Sequence, residues 1–341
     1  MARVAVVSFR LGGTDGVSIE AAKWCAALAS LGHTVSTVAG EGPVDILLPG
    51  LAMDAATPPT SGELGGALRD VDHVVVENLA SLPLNPGARE VLYEVLADRT
   101  ATFHHHDLAW QREHLAHLDG PRDAPGWRHV TINDLSRRDL AARGIEACTL
   151  RNSFDCDPPK GRRDETRRAL GVGDARVALV ASRALPRKNV PGALALAEAL
   201  GATLWLLGPS EDDYEAELRA LLATSRVDVR RGAPAGTTVH DAYAAADLVV
   251  MASTWEGFGN PVLESVTHRR PLALNPYPVA REITSFGFTF FGLDDVAAIA
   301  RFLDAPDAAL LDHNRDVARR HFNLADLPGR LAATLDLSGA A

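Results

Sequence analysis

The sequence predicts an α/β protein built from two doubly wound parallel sheets, one in each half of the chain. Short runs of β-branched and other apolar residues alternate with helical segments, which is the pattern of parallel strands joined by crossover helices. This alternation occurs twice, on either side of a charged, proline-containing segment at residues 151–168 that has no apolar period. A chain of 341 residues is long enough for two domains of ordinary size.

The composition argues against several classes of function. The formal net charge is −10 and there are no basic blocks, so we expect no nucleic-acid partner. No stretch approaches about 18 consecutive apolar residues, and we therefore expect no membrane-spanning segment. The three cysteines, Cys25, Cys148 and Cys156, are widely scattered and predict free thiols in a reducing compartment. Because the N-terminus also lacks a signal-peptide pattern, we expect a cytoplasmic protein.

The predicted strands of the first half are short and rich in β-branched residues. They lie at residues 4–7, 34–39, 74–76, 100–103 and 130–132. A glycine-rich loop that contains Gly12 and Gly13 separates the first strand from a helix predicted over residues 18–31. The glycine spacing is not G-x-G-x-x-G, and no acidic residue closes the second strand. An anion or acceptor site is therefore a better hypothesis for this loop than a dinucleotide site.

Three consecutive histidines, His104, His105 and His106, follow the fourth predicted strand. Ligands in open α/β sheets bind beyond the carboxyl ends of the strands, so this run lies where a site is expected. The alternatives are a metal site and ordinary surface histidines. Adjacent residues of an extended segment point to opposite faces, so the three side chains do not readily share one ion. We therefore predict no metal here.

The second half repeats the alternation of strands and helices. Strands are predicted at residues 177–180, 203–207, 227–229, 248–251 and 272–274, with helices near 190–200, 214–223, 239–245 and 261–267. From residue 296 onwards the sequence is helical, and the last helix, near 327–335, could cross back to the first domain. We predict a first domain at residues 1–157, joined by a C-terminal helix at about 320–341, and a second domain at 158–319.

A glycine-rich turn at residues 256–264 follows the apolar strand at 248–251. Gly257 and Gly259 let the backbone approach a ligand closely. Asn260 is predicted as a helix N-cap, and a proline at the first helical position comes next. The free N–H groups of such a helix start favour a phosphate group.

Two carboxylates, Glu256 and Glu264, flank this turn. A carboxylate beside an anion is electrostatically unfavourable, so we expect these side chains to accept hydrogen bonds from sugar hydroxyls. The combination indicates a nucleotide sugar, with phosphates on the amides and hydroxyls on the acids. The alternative is an ordinary strand, turn and helix with surface glutamates, which occurs in any α/β protein.

Cations are concentrated after the first strand of the second half. Arg183 and Lys188 are five residues apart across a loop and could clamp a pyrophosphate, because arginine offers a planar fork and lysine a mobile point charge. Arg187 is the third cation of this short segment. The alternative is a solvated turn.

These segments together resemble the retaining glycosyltransferases of family 4, which have the GT-B fold of two Rossmann-like domains facing a cleft. In the second half the matching segments are Arg183, Lys188-Asn189, Gly208-Pro209, residues 243–247 and the paired glutamates within residues 256–265. The first half is similar more loosely, at Gly12-Gly13, residues 31–35, His106-Asp107 and residues 151–155. The resemblance covers nearly the whole chain.

The resemblance implies where a nucleotide-diphosphate sugar would bind. Arg183 and Lys188 would hold the donor diphosphate and stabilise charge on the leaving group. Glu264 would bind the ribose hydroxyls, and the backbone of residues 231–233 would face the base. The base and the sugar are not assigned, and no further cofactor is expected.

The same resemblance implies which residues surround the transferred sugar. Glu256 would hydrogen-bond that sugar, and the amides of Gly257, Phe258 and Gly259 would lie near it and the phosphate, at the start of the helix that follows Asn260. The family's usual glycine and proline after this helix are replaced here by residues 267–271, Thr-His-Arg-Arg-Pro. The contacts that select the sugar therefore do not follow from the resemblance.

A histidine of the first half would touch the donor sugar and the reacting centre in this family. Two registers compete, because residues 102–104 fit one family form with His104, and His106-Asp107 fits another. We favour His106 slightly. Arg137 and Arg138 could meet an anionic acceptor, although a solvated helix face is the commoner use of such a pair.

The reaction implied is hexosyl transfer to an acceptor hydroxyl with retention of anomeric configuration. The departing phosphate oxygen would accept the acceptor proton on the same face. No metal is required, because the cations and the helix dipole neutralise the diphosphate. The chain is short for the family, which favours a small soluble acceptor. The rival hypotheses are a non-catalytic nucleotide-sugar-binding protein and a sugar-nucleotide epimerase of similar shape.

Overall fold

A computed structural model describes residues 1–211 and 213–335, and the chain divides into two compact units. Unit 1 comprises Met1–Ser153 together with the described residues from Ala325 onwards, and unit 2 comprises Phe154–Leu324. The sequence placed this boundary at residues 157 and 158. The C-terminal helix that was predicted to join the first domain extended to residue 341, and residues 336–341 lie outside the described part of the chain.

Unit 1 contains a parallel sheet of seven strands in the order β3-β2-β1-β4-β5-β6-β7. The strands are β1 (Arg3–Arg10), β2 (Thr34–Glu41), β3 (Ile46–Leu47), β4 (His73–Glu77), β5 (Ala101–His105), β6 (Trp127–Thr131) and β7 (Ala147–Thr149). The helices between them are α1 (Gly16–Ser30), α2 (Ser61–Ala67), α3 (Pro86–Leu96) and α4 (Asp134–Ala141). The central strands β4 and β5 are buried along their whole length, as parallel strands covered on both faces are.

Unit 2 contains a parallel sheet of six strands in the order β10-β9-β8-β11-β12-β13. The strands are β8 (Val177–Val180), β9 (Thr203–Leu206), β10 (Val229–Arg231), β11 (Leu248–Met251), β12 (Leu272–Leu274) and β13 (Phe291–Gly292). The helices are α5 (Arg163–Leu170), α6 (Val190–Ala199), α7 (Glu215–Thr224), α8 (Val239–Ala245), α9 (Asn260–Thr267), α10 (Pro278–Thr284), α11 (Val296–Asp304) and α12 (Ala308–His321). Two parallel sheets thus confirm the predicted fold class.

The chain returns to unit 1 with α13 (Leu327–Leu335), which packs against α1. Its buried residues are Leu327, Leu331 and Leu335, at the i, i+4 spacing of one helix face. Arg128 also donates a hydrogen bond to the carbonyl oxygen of Thr334, at 3.2 Å. Along the described residues, every helix is too short or too polar to span a bilayer.

The strand order of each sheet locates its topological switch point. In unit 1 the chain moves outwards in opposite directions from β1 and β4, and in unit 2 from β8 and β11. In open α/β sheets, ligands bind beyond the carboxyl ends of the two strands at this point. The loops after β1, β4, β8 and β11 are therefore the places to look for a site.

Candidate active site

In unit 2, the loops after β8 and β11 bring three charged side chains together. Glu256 follows β11, and its carboxylate accepts a hydrogen bond from Lys188 Nζ at 2.5 Å and another from Arg187 NH1 at 2.5 Å. Lys188 is only 8% exposed and Glu256 only 7%. A carboxylate and two cations are thus held at the switch point of the sheet, where a ligand is expected.

Burial and charge act in opposite directions on this cluster. Burial raises the pKa of Glu256, but the positive charges of Lys188 and Arg187 outweigh it and hold that pKa below its usual value. For Lys188, burial lowers the pKa, and the attraction of Glu256 offsets only part of the effect. The lysine is the more strongly desolvated cation, so an additional anion beside it would be favoured.

Arg183, which the sequence paired with Lys188, is bound elsewhere in this structure. Its guanidinium forms an ion pair with Glu211 at the surface of unit 2. Arg187 is the cation that joins Lys188 on Glu256, and no specific role was assigned to it from the sequence. The two cations lie together because a 3₁₀ turn at Pro186–Lys188 places them side by side beneath the Glu256 carboxylate.

The turn after Glu256 depends on glycine. Gly259 has a φ of +93° and is the N-cap of α9, so the prediction that Asn260 is the N-cap is wrong. A Cβ on Gly259 would lie 2.1 Å from the hydroxyl oxygen of Tyr277, which donates a hydrogen bond to the carbonyl of Phe258 at 2.9 Å. Only glycine fits this close approach. Phe258 is buried, and the partly exposed residues of the turn are Gly257, Gly259 and Asn260.

Glu264, the second carboxylate of the turn, lies on α9 and is half-buried. It accepts a hydrogen bond from the hydroxyl of Tyr243 at 2.6 Å. Burial, together with the negative charge of Glu264, raises the pKa of Tyr243 well above its usual value, so Tyr243 remains a donor. This bond fixes one oxygen of Glu264. The sequence noted Tyr243 only as part of a matching segment and did not connect it with the glutamate.

Unit 1 holds a second buried cluster, formed by Glu77, His104 and His106. Oε2 of Glu77 lies 2.9 Å from His104 Nδ1 and 2.7 Å from His106 Nε2. Glu77 ends β4 and is fully buried, and the parallel register places it directly opposite His104 of β5. The alternative of ordinary surface histidines is excluded, because His104 is 1% and His106 5% exposed.

The middle histidine of the run points to the opposite face, as alternation along a strand requires. His105 contacts Ser81 Oγ at 2.6 Å and His129 Nδ1 at 2.9 Å. Burial and the neighbouring histidine His129 lower the pKa of His105 well below its usual value. It therefore has a separate environment from the Glu77 cluster and belongs to the packing of the sheet.

Side chains from α1 complete the surroundings of the Glu77 cluster. The ring of Trp24 stacks on His104 with the ring centres 4.0 Å apart. Glu20 is buried on the same helix and pairs with Lys23 at 2.5 Å, and Lys23 donates to the carbonyl of Ser153 at 2.7 Å. Burial raises the pKa of Glu20, and Lys23 offsets only part of this rise. The histidines are thus enclosed by an aromatic ring and a second carboxylate.

Glu77, His104 and His106 also form a set that could hold a metal ion. One ligand atom from each lies within 4.8 Å of the others. Two imidazoles and a carboxylate are common ligands of transition metals. The sequence argument against a metal considered only the three histidines and missed Glu77, which comes from the neighbouring strand. The absence of a metal stays a prediction.

The loop after β1 has a shape that its glycines explain. Gly12 has a φ of +74°, and a Cβ there would lie 2.6 Å from Pro43 Cγ. The N-cap of α1 is Asp15, whose carboxylate accepts a hydrogen bond from the amide of Ser18 at 3.2 Å and pairs with Arg10. This carboxylate makes the start of α1 less favourable for an anion, and a neutral ligand group suits the loop of Gly12 and Gly13 better.

The two arginines of α4 are separate from these clusters. Arg137 pairs with Asp134 of its own helix at 3.2 Å, and Arg138 is exposed. The solvated-face interpretation accounts for both side chains in this structure.

Comparison with known proteins identifies a family match within unit 2. Residues 162–313, which all lie within unit 2, match the family model of the group 1 glycosyl transferases. This part of the chain is similar to the group 1 glycosyl transferases. The buried cluster of Glu256, Lys188 and Arg187 lies within the matched residues, and the match supports the predicted glycosyltransferase; family 4 and retention stay predictions.

The whole chain is similar to curated and solved glycosyltransferases. It is 26% identical to mannosylglucosylglycerate synthase of Thermotoga maritima, with 94% of this chain and 97% of that protein covered. The synthase of the same name from Petrotoga mobilis is also 26% identical, over 87% of this chain and 88% of that protein.

Among solved structures, HepE of Anabaena in complex with UDP and glucose has a TM-score of 0.72 at 17% identity, with 98% of this chain and 100% of that chain covered. Sucrose-phosphate synthase of Thermosynechococcus elongatus has a TM-score of 0.74 at 15% identity, with full coverage of both chains. These likenesses confirm the predicted GT-B fold.

Proposed function

We propose that this protein is a retaining glycosyltransferase of family 4 that transfers a hexosyl group from a nucleotide-diphosphate sugar to a hydroxyl of a small soluble acceptor, without a metal ion. The observation that carries the proposal is the buried cluster of Glu256, Lys188 and Arg187 at the switch point of the unit 2 sheet. It offers both cations for a diphosphate and a carboxylate for a sugar.

The cluster suggests how donor binding changes its partners. A diphosphate beside Lys188 would compete with Glu256 for the lysine and would neutralise positive charge that the glutamate now neutralises. Arg183 could leave Glu211 for the same diphosphate, since their ion pair is partly exposed and such pairs contribute little to stability. Glu256 could then accept a hydrogen bond from a sugar hydroxyl. The complexes of HepE with UDP and glucose support a nucleotide donor of this kind.

The chemical step needs no enzyme nucleophile in this proposal. The bond between the anomeric carbon and the diphosphate oxygen breaks, and the acceptor oxygen forms the new bond on the same face of the sugar. The acceptor proton passes to the departing phosphate oxygen, so atoms and charge balance. Lys188 and Arg183 would stabilise the charge that develops on the leaving group, and Glu256 would stabilise the positive charge on the sugar ring.

We propose a small glycoside that carries a carboxylate as the acceptor. Two relatives that match most of this chain are both named mannosylglucosylglycerate synthase, and glycerate is a small carboxylic acid. A sugar transferred to a glucosylglycerate-like acceptor would give a product of the same class. This assignment also fits the small size of the chain, which leaves little room for a lipid-binding insertion.

A two-step experiment tests the proposal. Thermal unfolding is first measured with UDP, GDP and ADP and with their glucose, N-acetylglucosamine and mannose derivatives; a ligand at about 100 times its dissociation constant should stabilise the chain by roughly 2.7 kcal/mol. The stabilising donor is then incubated with glucosylglycerate, and the anomeric signals of the product are read by NMR. Retention supports the proposal, inversion contradicts it, and stabilisation without any turnover would favour the non-catalytic binding protein.

Glu256→Gln should reduce turnover much more than nucleotide binding. The amide keeps the shape of the side chain but removes the charge that would stabilise the sugar ring, and removal of one preorganised electrostatic contact costs on the order of 100- to 1,000-fold in kcat. Steady-state kinetics and calorimetric titration with the nucleoside diphosphate measure the two effects. Glu165→Gln, an exposed glutamate of the same unit, is the matched control. A variant with normal turnover and weakened nucleotide binding would reassign Glu256 to the diphosphate.

Prolonged treatment with a chelator should leave the activity unchanged. The positive charges of Lys188, Arg187 and Arg183 supply the neutralisation that a divalent ion provides in other enzymes. Activity and metal content are measured before and after treatment with EDTA. Loss of activity that Mn²⁺, Zn²⁺ or Mg²⁺ restores would overturn the metal-free proposal and direct attention to Glu77, His104 and His106.

A further inference from the structure

Unit 2 contains an arginine-rich cavity at the edge of its sheet opposite the candidate active site. The cavity has a volume of about 630 Å³ and includes Arg176, Asp247 and Pro271, which immediately precede β8, β11 and β12. Parallel strands all begin at the same edge, so the cavity lies at the amino edge, about 13 Å along the strands from the loops that carry Lys188 and Glu256. It is therefore separate from the donor site.

Positive charge dominates the lining of this cavity. Six arginines face three aspartates: Arg163, Arg167, Arg168, Arg176, Arg269 and Arg270, with Asp164, Asp174 and Asp247. Two of the arginines stabilise the fold, because Arg163 and Arg167 pair with Asp247 at 2.5 and 3.1 Å. Asp247 also accepts a hydrogen bond from the amide of Val177, at the start of β8, so its oxygens are engaged.

Two further arginines are paired at the rim of the cavity. Arg176 forms an ion pair with Asp304, and Arg269 forms one with Asp312 at 2.9 Å. Both pairs are partly exposed, so they are weak and can rearrange around a ligand.

Arg270 is a half-buried arginine of this cavity whose side chain lacks an anionic partner in the part of the chain that the structure describes. Among residues 1–211 and 213–335, its side chain has no ion pair and no hydrogen bond, and its Nε is buried. Burial and the nearby positive charge of Arg163 lower the pKa of Arg270, and Asp247 offsets only part of the effect. A half-buried guanidinium without an anionic partner costs stability, and a bound anion would remove that cost.

The backbone at this position is also unusual. α9 ends in a Schellman motif, in which the amide of Arg270 bonds to the carbonyl of Ser265 at 2.8 Å and the amide of Arg269 to that of Val266 at 2.9 Å. Arg269 consequently takes a φ of +54°, a conformation that glycine adopts without strain. Arginine is less favourable than glycine in this conformation. Such a local conflict indicates that the side chains have a use.

We propose that this cavity binds a small molecule that carries a phosphate or diphosphate group. Guanidinium forks match phosphate oxygens in geometry and charge, and several of them converge here. The volume falls in the range of about 300–1,000 Å³ that small-molecule sites occupy. Phe302, Leu303 and Leu311 form an apolar wall that can contact the uncharged part of the ligand. Because the cavity lies at the opposite edge from the donor site, the ligand is an effector and not a substrate.

Inorganic pyrophosphate is the probe for this site. Because the donor site would also bind pyrophosphate, the titration uses the Lys188→Ala variant, in which that second site is weakened. Calorimetric titration of that variant with pyrophosphate should show binding. Adding Arg270→Gln should weaken the binding at least about tenfold, since a charge-assisted contact is lost. Adding Arg219→Gln instead, at an exposed arginine of α7 that does not line the cavity, should leave it unchanged. Citrate, titrated in parallel, distinguishes a carboxylate site from a phosphate site.

A stability measurement separates ligand binding from a structural role of Arg270. Without an added anion, Arg270→Gln alone should unfold at the same temperature as the wild type or at a higher one, because it removes a half-buried and unpaired charge. With pyrophosphate, the wild type should gain more stability than the variant. Equal pyrophosphate affinity with and without Arg270, no binding at millimolar pyrophosphate, or binding of citrate alone would each overturn the proposal. None of these outcomes depends on glycosyl transfer, so they are distinguishable from failure of the proposed function.

Discussion

Lys188→Ala should weaken the binding of the donor's nucleoside diphosphate by about 2–3 kcal/mol, or roughly 30- to 150-fold. Lys188 is the most buried cation at the switch point of the unit 2 sheet, and its ammonium group lies 2.5 Å from Glu256. A contact between a desolvated ammonium and a phosphate is worth more than an exposed one, because little solvent competes for the charge. Calorimetric titration with UDP, GDP and ADP measures the effect.

The structure also predicts a secondary consequence of this substitution. Without Lys188, the buried carboxylate of Glu256 keeps only Arg187 as its cation, so its pKa should rise and the chain should lose stability. Affinity is therefore measured well below the unfolding temperature of the variant. Lys160→Ala removes an exposed lysine of the same unit and should change neither quantity. If Lys188→Ala bound the nucleotide as tightly as Lys160→Ala, Lys188 would have no role in holding the diphosphate.

Strands with a strong burial signal could be predicted from the sequence, and three short strands without that signal could not. The bounds of β8, β11 and β12 agree with the prediction because each is a continuous apolar run between polar loops. β3 and β13 have two residues each and β7 has three. None of these three strands contains a buried residue, so they carry no burial signal, and they are strands only because a neighbouring strand is present to pair with them.

Several residues of the site could be identified from the sequence, but which of them contact one another could not be predicted. Glu256 and Lys188 were identified from glycine and charge patterns, yet their ion pair joins residues 68 positions apart in the chain. Glu77 was overlooked because it ends a run of valines and its neighbours in sequence give it no chemical context. Its partner becomes visible only through the parallel register that places it opposite His104.

Glu77→Ala should lower the free energy of unfolding by about 3–5 kcal/mol, because it leaves two buried imidazoles without their common acceptor. Glu77 is fully buried, and both His104 and His106 bind the same carboxylate oxygen. Urea unfolding at constant pH measures the loss. Glu90→Ala, at a partly exposed glutamate of the same unit, is the matched control and should cost less than about 1 kcal/mol. Similar losses for the two variants would show that the Glu77 cluster contributes little to stability.

The pH dependence of stability provides a second test of the same cluster. Burial raises the pKa of Glu77, but the two histidines outweigh it and bring that pKa to about 2. The stability that the Glu77 carboxylate contributes is therefore present above its usual pKa of 4.5 and is lost as the pH falls towards 2. Burial lowers the pKa of His106, but its hydrogen bond to Glu77 and the attraction of Glu77 and Glu20 outweigh this and raise the pKa above 6.5. The stability that protonated His106 contributes is complete below pH 6.5 and is lost as the pH rises through the raised pKa. Glu77→Gln keeps the shape of the side chain without its charge, so it should remove both dependences. A Gln variant whose stability still falls at both ends of this range, as in the wild type, would assign the dependence to other groups.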